Sequence, residues 1–282
     1  MMGTFIEIQV DFDQEQKRSH QNHIISSAFR EIARVEYLMT TFENHSDIAI
    51  INQTVNTKNC PRIEIHPMTY EVLQLAKKMY EITKGAFDCG VGHVLGRLGI
   101  RPQMKEFDLL LSNYSIENIE LEDNFGVRVH KPVLLDLGGI AKGYAVDRAI
   151  QVIKNFGIKK AVVNAGGDLR VLGKVPKKVL VRQLGEKTKF VEIGNIANVA
   201  IATSSSMLRD HSKLIQSKHL INPHQKTPII GEKTFTVTAQ SCAVADALTK
   251  ALAVDQDIHA PYFEILGARG HVMEINLSLI HI

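Results

Sequence analysis

The chain contains no tryptophan, and its tyrosines and phenylalanines number only 6 and 11 among 282 residues, so aromatic stacking platforms are few. It has three cysteines, Cys60, Cys89 and Cys242, an odd and scattered set. They form no Cys-x-x-Cys pair and no Cys/His ligand spacing, which argues against both a disulfide framework and a structural zinc. No run of five or more Lys/Arg residues occurs, and the formal charge is only +3, so nothing is arranged to neutralise a nucleic-acid backbone. No apolar stretch approaches the ~20 residues that span a bilayer. The opening MMGTFIEIQV has no basic, apolar and cleavage regions in succession. A cytoplasmic protein is expected from the chain as given; a trimmed periplasmic or membrane-anchored protein would read the same way.

What is present is the composition of an ordinary globule, 45% hydrophobic and 22% charged. Period-2 alternation of Ile6, Ile8, Val10 and Phe12 predicts an opening strand. A helical pattern ending near Met39 follows, then an irregular stretch, TTFENHSDIAIINQ. A second helix is expected from about Pro67 to Lys84, with Pro in its first turn and Gly85 as its stop. The glycine-rich passage GAFDCGVGHVLGRLG is too broken for a long helix. Beyond Val127, the runs VRVH, VLLDL, KAVVNAG, KVLVRQL, VAIATS, TFTVTA and VMEINLSL read as strands. Helices at about 141–156 and 241–254 interrupt them. Mixed strands and helices of this kind imply an α+β fold, as one domain over residues 1–282 or as two intertwined lobes.

The strongest chemical signal is VLLDLGGIAKGYAVD. A buried strand is expected to end in Asp136, Gly138 and Gly139 allow a tight turn, and a helix starts near Ala141. The first turn of that helix offers unpaired N–H groups, and Lys142 adds positive charge, which suits a phosphate. Asp136 and Asp147 are placed to neutralise the site, orient Lys142 or reach a metal. An ordinary strand–turn–helix joint with a solvated lysine fits the same residues. Weaker signals accompany it. In VVNAGGDLRVLG, Asn164, Gly166, Gly167 and Asp168 read first as a turn. GAFD sets Phe87 beside Asp88 after a C-cap glycine. Thr203 to Ser206 with Arg209 fit either a phosphate or an N-cap cluster. His219 precedes an apolar pair and a Pro turn. Asp246 shares a helical face with Thr249 and Lys250, a face suited to Mg²⁺ or to a simple salt bridge.

Taken in order, these segments resemble the FAD:protein FMN transferases, the ApbE-like family. MGTFIEIQV is similar to its opening strand, and TTFENHSDIAIIN and KGAFDCGVGHVLGRLG to its next two blocks. DLGGIAKGYAVD, NAGGDLRVLG, ATSSSMLR, KHLINP and ADALTKAL follow in family order. The resemblance implies an ApbE-like, T-fold-related flavin transferase architecture. It also implies an enzyme that moves FMN from FAD to a Ser or Thr hydroxyl of an acceptor flavoprotein, with Mg²⁺, releasing AMP. The alternative is an FAD-binding protein without transfer, or an FAD pyrophosphatase. FAD contacts are implied at Met2, Phe42, Ala86, Phe87, Asp88, Asp136, Lys142 and Ile221. Catalytic roles are implied for His219, Lys142 and Asp246. A metal is implied at the Gly139 carbonyl, at Asp246 and at the next helical turn.

Four departures stand out. Lys250 occupies the position of the family's metal-binding threonine, and an ammonium cannot coordinate Mg²⁺. Either Lys250 serves as a fixed cation, or Thr249 supplies the oxygen from a shifted register, about 100° away around the helix. Ser205 stands at a glycine position. Gln225 and Lys226 follow Asn222-Pro223 where Thr-Gly is usual. LGRLGI lacks the usual tryptophan.

Overall fold

A computed structural model describes residues 2–13, 15–54, 61–102, 114–174, 177–182, 190–210, 213–216 and 219–274, with side chains omitted at 177–182, 190–196, 207–210 and 213–216. Cys60 and the distal part of the strand expected at VMEINLSL, from residue 275, lie outside the described residues.

The elements run β1 (Ile6–Val10), α1 (Arg18–Met39), α2 (Asp47–Gln53), β2 (Arg62–Glu64), α3 (Pro67–Ile82) and α4 (Gly92–Arg97). Next come β3 (Ile119–Glu122), β4 (Gly126–Val129), α5 (Ala141–Asn155), β5 (Ala161–Ala165) and β6 (Asp168–Leu172). The strands β7 (Lys177–Arg182), β8 (Phe190–Ile196), β9 (Ala200–Ser205), β10 (Met207–Asp210), β11 (Lys213–Gln216), β12 (Ile221–Asn222), β13 (Thr227–Pro228) and β14 (Lys233–Ala239) follow. The described chain closes with α6 (Cys242–Asp255), α7 (Pro261–Ile265) and β15 (Arg269–Glu274).

The principal sheet has the order β1-β5-β6-β9-β14-β15, with every neighbouring pair antiparallel. The helices α5 and α6 pack on it and on each other, and α1 packs on α5. A three-stranded sheet, β2-β4-β3, lies apart from it in the hydrogen-bonding order. This is the α+β arrangement that the strand and helix patterns imply. One apolar cluster runs from Ile24 and Ile32 of α1 through Val127 of β4 to Phe235 and Leu248.

Two local expectations fail for physical reasons. The stretch expected to be irregular contains α2, because the Ser46 side chain caps it by accepting the Ala49 N–H at 3.0 Å. The run VLLDL is buried but forms no strand. The Asn52 side-chain amide brackets Leu135, accepting its N–H at 2.8 Å and donating to its carbonyl at 2.9 Å. The Leu134 carbonyl accepts from Gly92 N at 2.9 Å, and Asp136 N donates to the Cys89 carbonyl at 2.8 Å. Loops and one amide therefore satisfy a backbone that a sheet would otherwise pair.

Close helix contact sets the site. A Cβ on Gly143 would lie 2.3 Å from the Cys242 carbonyl oxygen, so only glycine lets α5 approach the start of α6 this closely. Asp147 secures the same junction. Its carboxylate accepts Ser241 Oγ at 2.7 Å and the N–H groups of Cys242 and Ala243 at 3.0 Å, and pairs with Arg170 at 2.5 Å. Asp147 is thus bound up in capping α6 and does not orient Lys142.

Candidate functional site

A cavity of about 740 Å³ opens between the Gly138-Gly139 turn, the segment around Phe87, the end of β9 and the segment at His219–Ile221. That volume falls in the range of small-molecule and cofactor sites, roughly 300–1,000 Å³. Among the residues implicated by sequence, Met2, Phe42, Ala86, Phe87, Asp88, Asp136, Gly139, Lys142, His219 and Ile221 all line it. Lys250 lines it as well. Asp246 does not line it: its carboxylate is completely buried and pairs with Lys142 and Lys250, which do.

One end is aromatic and mixed in charge. Arg101 Nε donates to Asp136 Oδ2 at 2.5 Å, and its guanidinium carbon sits 5.1 Å from the centre of the Phe42 ring. The second Asp136 oxygen accepts the Gly138 N–H at 2.9 Å, which fixes the turn. His219 shares this end. Burial and the nearby Arg101 charge hold its imidazole below the ordinary histidine range, against an opposing pull from Asp136. A neutral imidazole facing a cavity can accept a proton.

The GAFD segment has its own internal logic. Gly85 takes φ +82° after α3, and Phe87 is buried. Asp88 accepts N–H bonds from Gly90 at 2.7 Å and Ile116 at 2.9 Å, so it braces two loops. Burial raises its carboxyl above the usual range despite those bonds.

The other end is a charge quartet. Lys142 Nζ lies 2.8 Å from Asp168 Oδ2 and 3.4 Å from Asp246 Oδ2. The Gly143 N–H donates to that same Asp246 oxygen at 3.2 Å. Lys250 Nζ donates to the other, Oδ1. Burial alone would raise the Asp246 carboxyl, but Lys142, Lys250 and the Gly143 N–H hold it below the usual range. Burial likewise opposes the Lys142 charge, and the two carboxylates outweigh it, keeping the ammonium protonated. Asp168 moves upward, driven by burial and by Asp246.

Thr249 sits elsewhere. Its hydroxyl is fully buried, donates to the Asp246 carbonyl at 2.7 Å and pairs with Ser204 Oγ at 2.7 Å. Thr203, Ser204 and Ser205 bring β9 to the cavity wall. Arg209 falls on β10, where side chains are outside the described set.

The donor set does not fit Mg²⁺. That ion demands near-octahedral oxygen ligands at about 2.0–2.1 Å, yet each Asp246 oxygen already accepts an ammonium and Thr249 faces Ser204. A dication ~4 Å from one ammonium would be repelled by about 8 kcal/mol at an effective dielectric of ~20.

Two features escaped sequence reasoning. Asp168 read as turn punctuation, yet it follows a turn in which Gly166 and Gly167 take φ +64° and +103°, and the hairpin delivers its carboxylate to Lys142. Nothing in the spacing marked Arg101. Lys226, at a glycine position, takes φ +57° and donates Nζ to the Tyr114 carbonyl at 2.6 Å. Lys226 thus holds a left-handed backbone that glycine adopts more readily than a side-chain-bearing residue.

A cavity of this size, lined by Lys142 and Lys250 at one end and by His219 at the other, has the build of a small-molecule or cofactor site. Residues 2–263 match the ApbE family, so the chain belongs to that family. A FAD:protein FMN transferase of Vibrio cholerae is 27% identical over 241 residues, covering 80% of this chain and 71% of that protein. One of Rhodobacter capsulatus is 26% identical over 267 residues, where this chain spans 90% of its own length but only 50% of the relative's. Among solved structures, the ApbE protein of Thermotoga maritima superposes with a TM-score of 0.77 at 25% identity, covering 99% of this chain and 96% of that one. The flavin transferase ApbE of Vibrio cholerae, at 22% identity and a TM-score of 0.77, shares the fold.

Proposed function

We propose that the protein is an FAD:protein FMN transferase, which joins the FMN phosphate of FAD to a Ser or Thr hydroxyl of an acceptor protein. The carrying observation is a cavity lined both by His219, with its lowered proton affinity, and by the half-buried Lys142 and Lys250 beside the start of α5. The membership in the ApbE family and the relatives' names support the same reading.

In this assignment the isoalloxazine ring occupies the end formed by Met2, Phe42, Phe87 and Ile221. The pyrophosphate spans the middle of the cavity, with the FMN phosphorus toward His219 and the AMP side toward Lys142, Lys250 and the Gly139 turn. The acceptor hydroxyl oxygen attacks the FMN phosphorus while a ring nitrogen of His219 takes its proton. The new P–O bond forms as the pyrophosphate P–O bond breaks, and AMP leaves with the bridging oxygen. The lysines stabilise the charge that gathers on that oxygen.

Incubation with FAD and a candidate acceptor, followed by denaturing electrophoresis, tests the reading. Flavin fluorescence that stays with the acceptor band is expected. Fluorescence lost entirely on denaturation, with AMP nevertheless released, would assign hydrolysis instead.

A further inference from the structure

The buried Asp246 carboxylate has both oxygens committed to ammonium groups, and both lysines that supply them, Lys142 and Lys250, line the cavity. We propose that Lys250 is a built-in replacement for a divalent cation, a fixed positive charge that contacts the diphosphate directly and makes FAD binding independent of metal. The proposal rests on the FAD reading above and specifies what holds the phosphates.

Three observations carry it. First, the Lys250 stem runs along the turn, since a Cβ on Gly139 would lie 3.5 Å from its Cε and 3.6 Å from its Cγ. Its ammonium therefore lies between the Gly139 turn and Asp246, where the resemblance implies a metal. Second, the cluster is electrically complete as it stands. Lys142 and Lys250 balance Asp168 and Asp246, and the Gly143 N–H adds a further donor to Asp246. A dication added here would meet two ammoniums and no free carboxylate oxygen on Asp246. Third, the hydroxyl one residue earlier is unavailable, because Thr249 is paired with Ser204 and with the Asp246 carbonyl. Lys250 keeps a partly exposed side chain, 20% accessible, on the cavity wall. A lysine head carries three N–H donors. One is spent on Asp246, and the others, with no further partner among the described residues, face the cavity where phosphate oxygens would lie.

The test combines FAD binding, followed by flavin fluorescence quenching, with Mn²⁺ binding followed by electron paramagnetic resonance. Each is run on the whole protein and on Lys250→Thr, Lys250→Met and Lys250→Arg. For the unaltered protein, the FAD dissociation constant in EDTA and in millimolar Mg²⁺ should agree within about twofold, with no stoichiometric Mn²⁺ signal change. Lys250→Met should weaken FAD by about tenfold or more whatever the metal, and Lys250→Arg should recover most of that loss. Lys250→Thr should bind Mn²⁺ and become dependent on Mg²⁺ for FAD.

FAD binding by the unaltered protein that requires Mg²⁺ would overturn this inference and leave the transferase reading standing. Absence of FAD binding in both conditions would instead overturn the reading on which it rests. A folded Lys250→Thr protein that binds FAD as before and takes up no Mn²⁺ would show that Lys250 is not at a cation position.

Discussion

Lys142 Nζ lies 2.8 Å from Asp168 Oδ2, tying the first turn of α5 to the strand that follows the Gly166-Gly167 turn. The two residues are 26 positions apart in sequence (168 − 142) and meet because β5 and β6 form a hairpin beneath the helix. Asp168 is 2% exposed and Asp246 is fully buried, so the lysine between them neutralises carboxylates that have little access to water.

Lys142→Met should therefore leave two buried carboxylates with one cation fewer. Removing one partner of a buried ionic cluster typically costs ~3–5 kcal/mol. Urea denaturation should show a loss of that size, together with weaker FAD binding. A variant as stable as the parent would mean that the carboxylates are satisfied without Lys142.

His219→Ala should slow FMN transfer by ~10²–10⁴-fold, the span of general base catalysis, while FAD affinity stays within about threefold. Because burial and Arg101 lower the proton affinity of His219, the imidazole is neutral above its lowered pKa. The kcat/KM profile should rise with pH through a limb below the ordinary histidine value of about 6.5 and be flat above it. A rising limb well above that value would point to a different base.

Arg101→Ala should release Asp136 and uncover Phe42 at the aromatic end. A hydrogen bond to a charged group is worth ~1.5–3 kcal/mol, so FAD should bind about 10–100-fold more weakly if Arg101 and Asp136 order that end. Titration of flavin fluorescence reads this directly. Unchanged affinity would place the isoalloxazine elsewhere.

Asp147→Asn is the contrasting case, because Asp147 holds the start of α6 and lies behind the cavity. The substitution should lower stability by about 1–2 kcal/mol, the usual effect of a weakened cap. FAD affinity of the folded protein should change by less than about threefold. A large loss of affinity at unchanged stability would return Asp147 to the site.

Much of this arrangement was legible because motif order constrains it. Gly139 and Lys142 lay in the strongest local signal, His219 and Asp246 each carried a weak one, and their succession along the chain marked them as one site. The helix α5 was readable from its glycine stop, and β1 from strict alternation. What escaped depends on contacts distant in sequence. Leu135 was expected in a strand because its neighbours are apolar, but Asn52, 83 positions earlier, supplies the amide partners that a strand would have. Asp168 looked like turn chemistry, and only the hairpin shows that the turn aims it at Lys142. For Lys250 the sequence left two readings open. The pairing of Thr249 with Ser204 settles which side chain of α6 faces the cavity.

Intact-mass spectrometry of an acceptor flavoprotein tests covalent transfer most directly. After incubation with FAD and this protein, the acceptor should gain the mass of one FMN phosphoester at a Ser or Thr, with AMP appearing in equal amount. An acceptor of unchanged mass, alongside free FMN and AMP or intact FAD, would contradict the account.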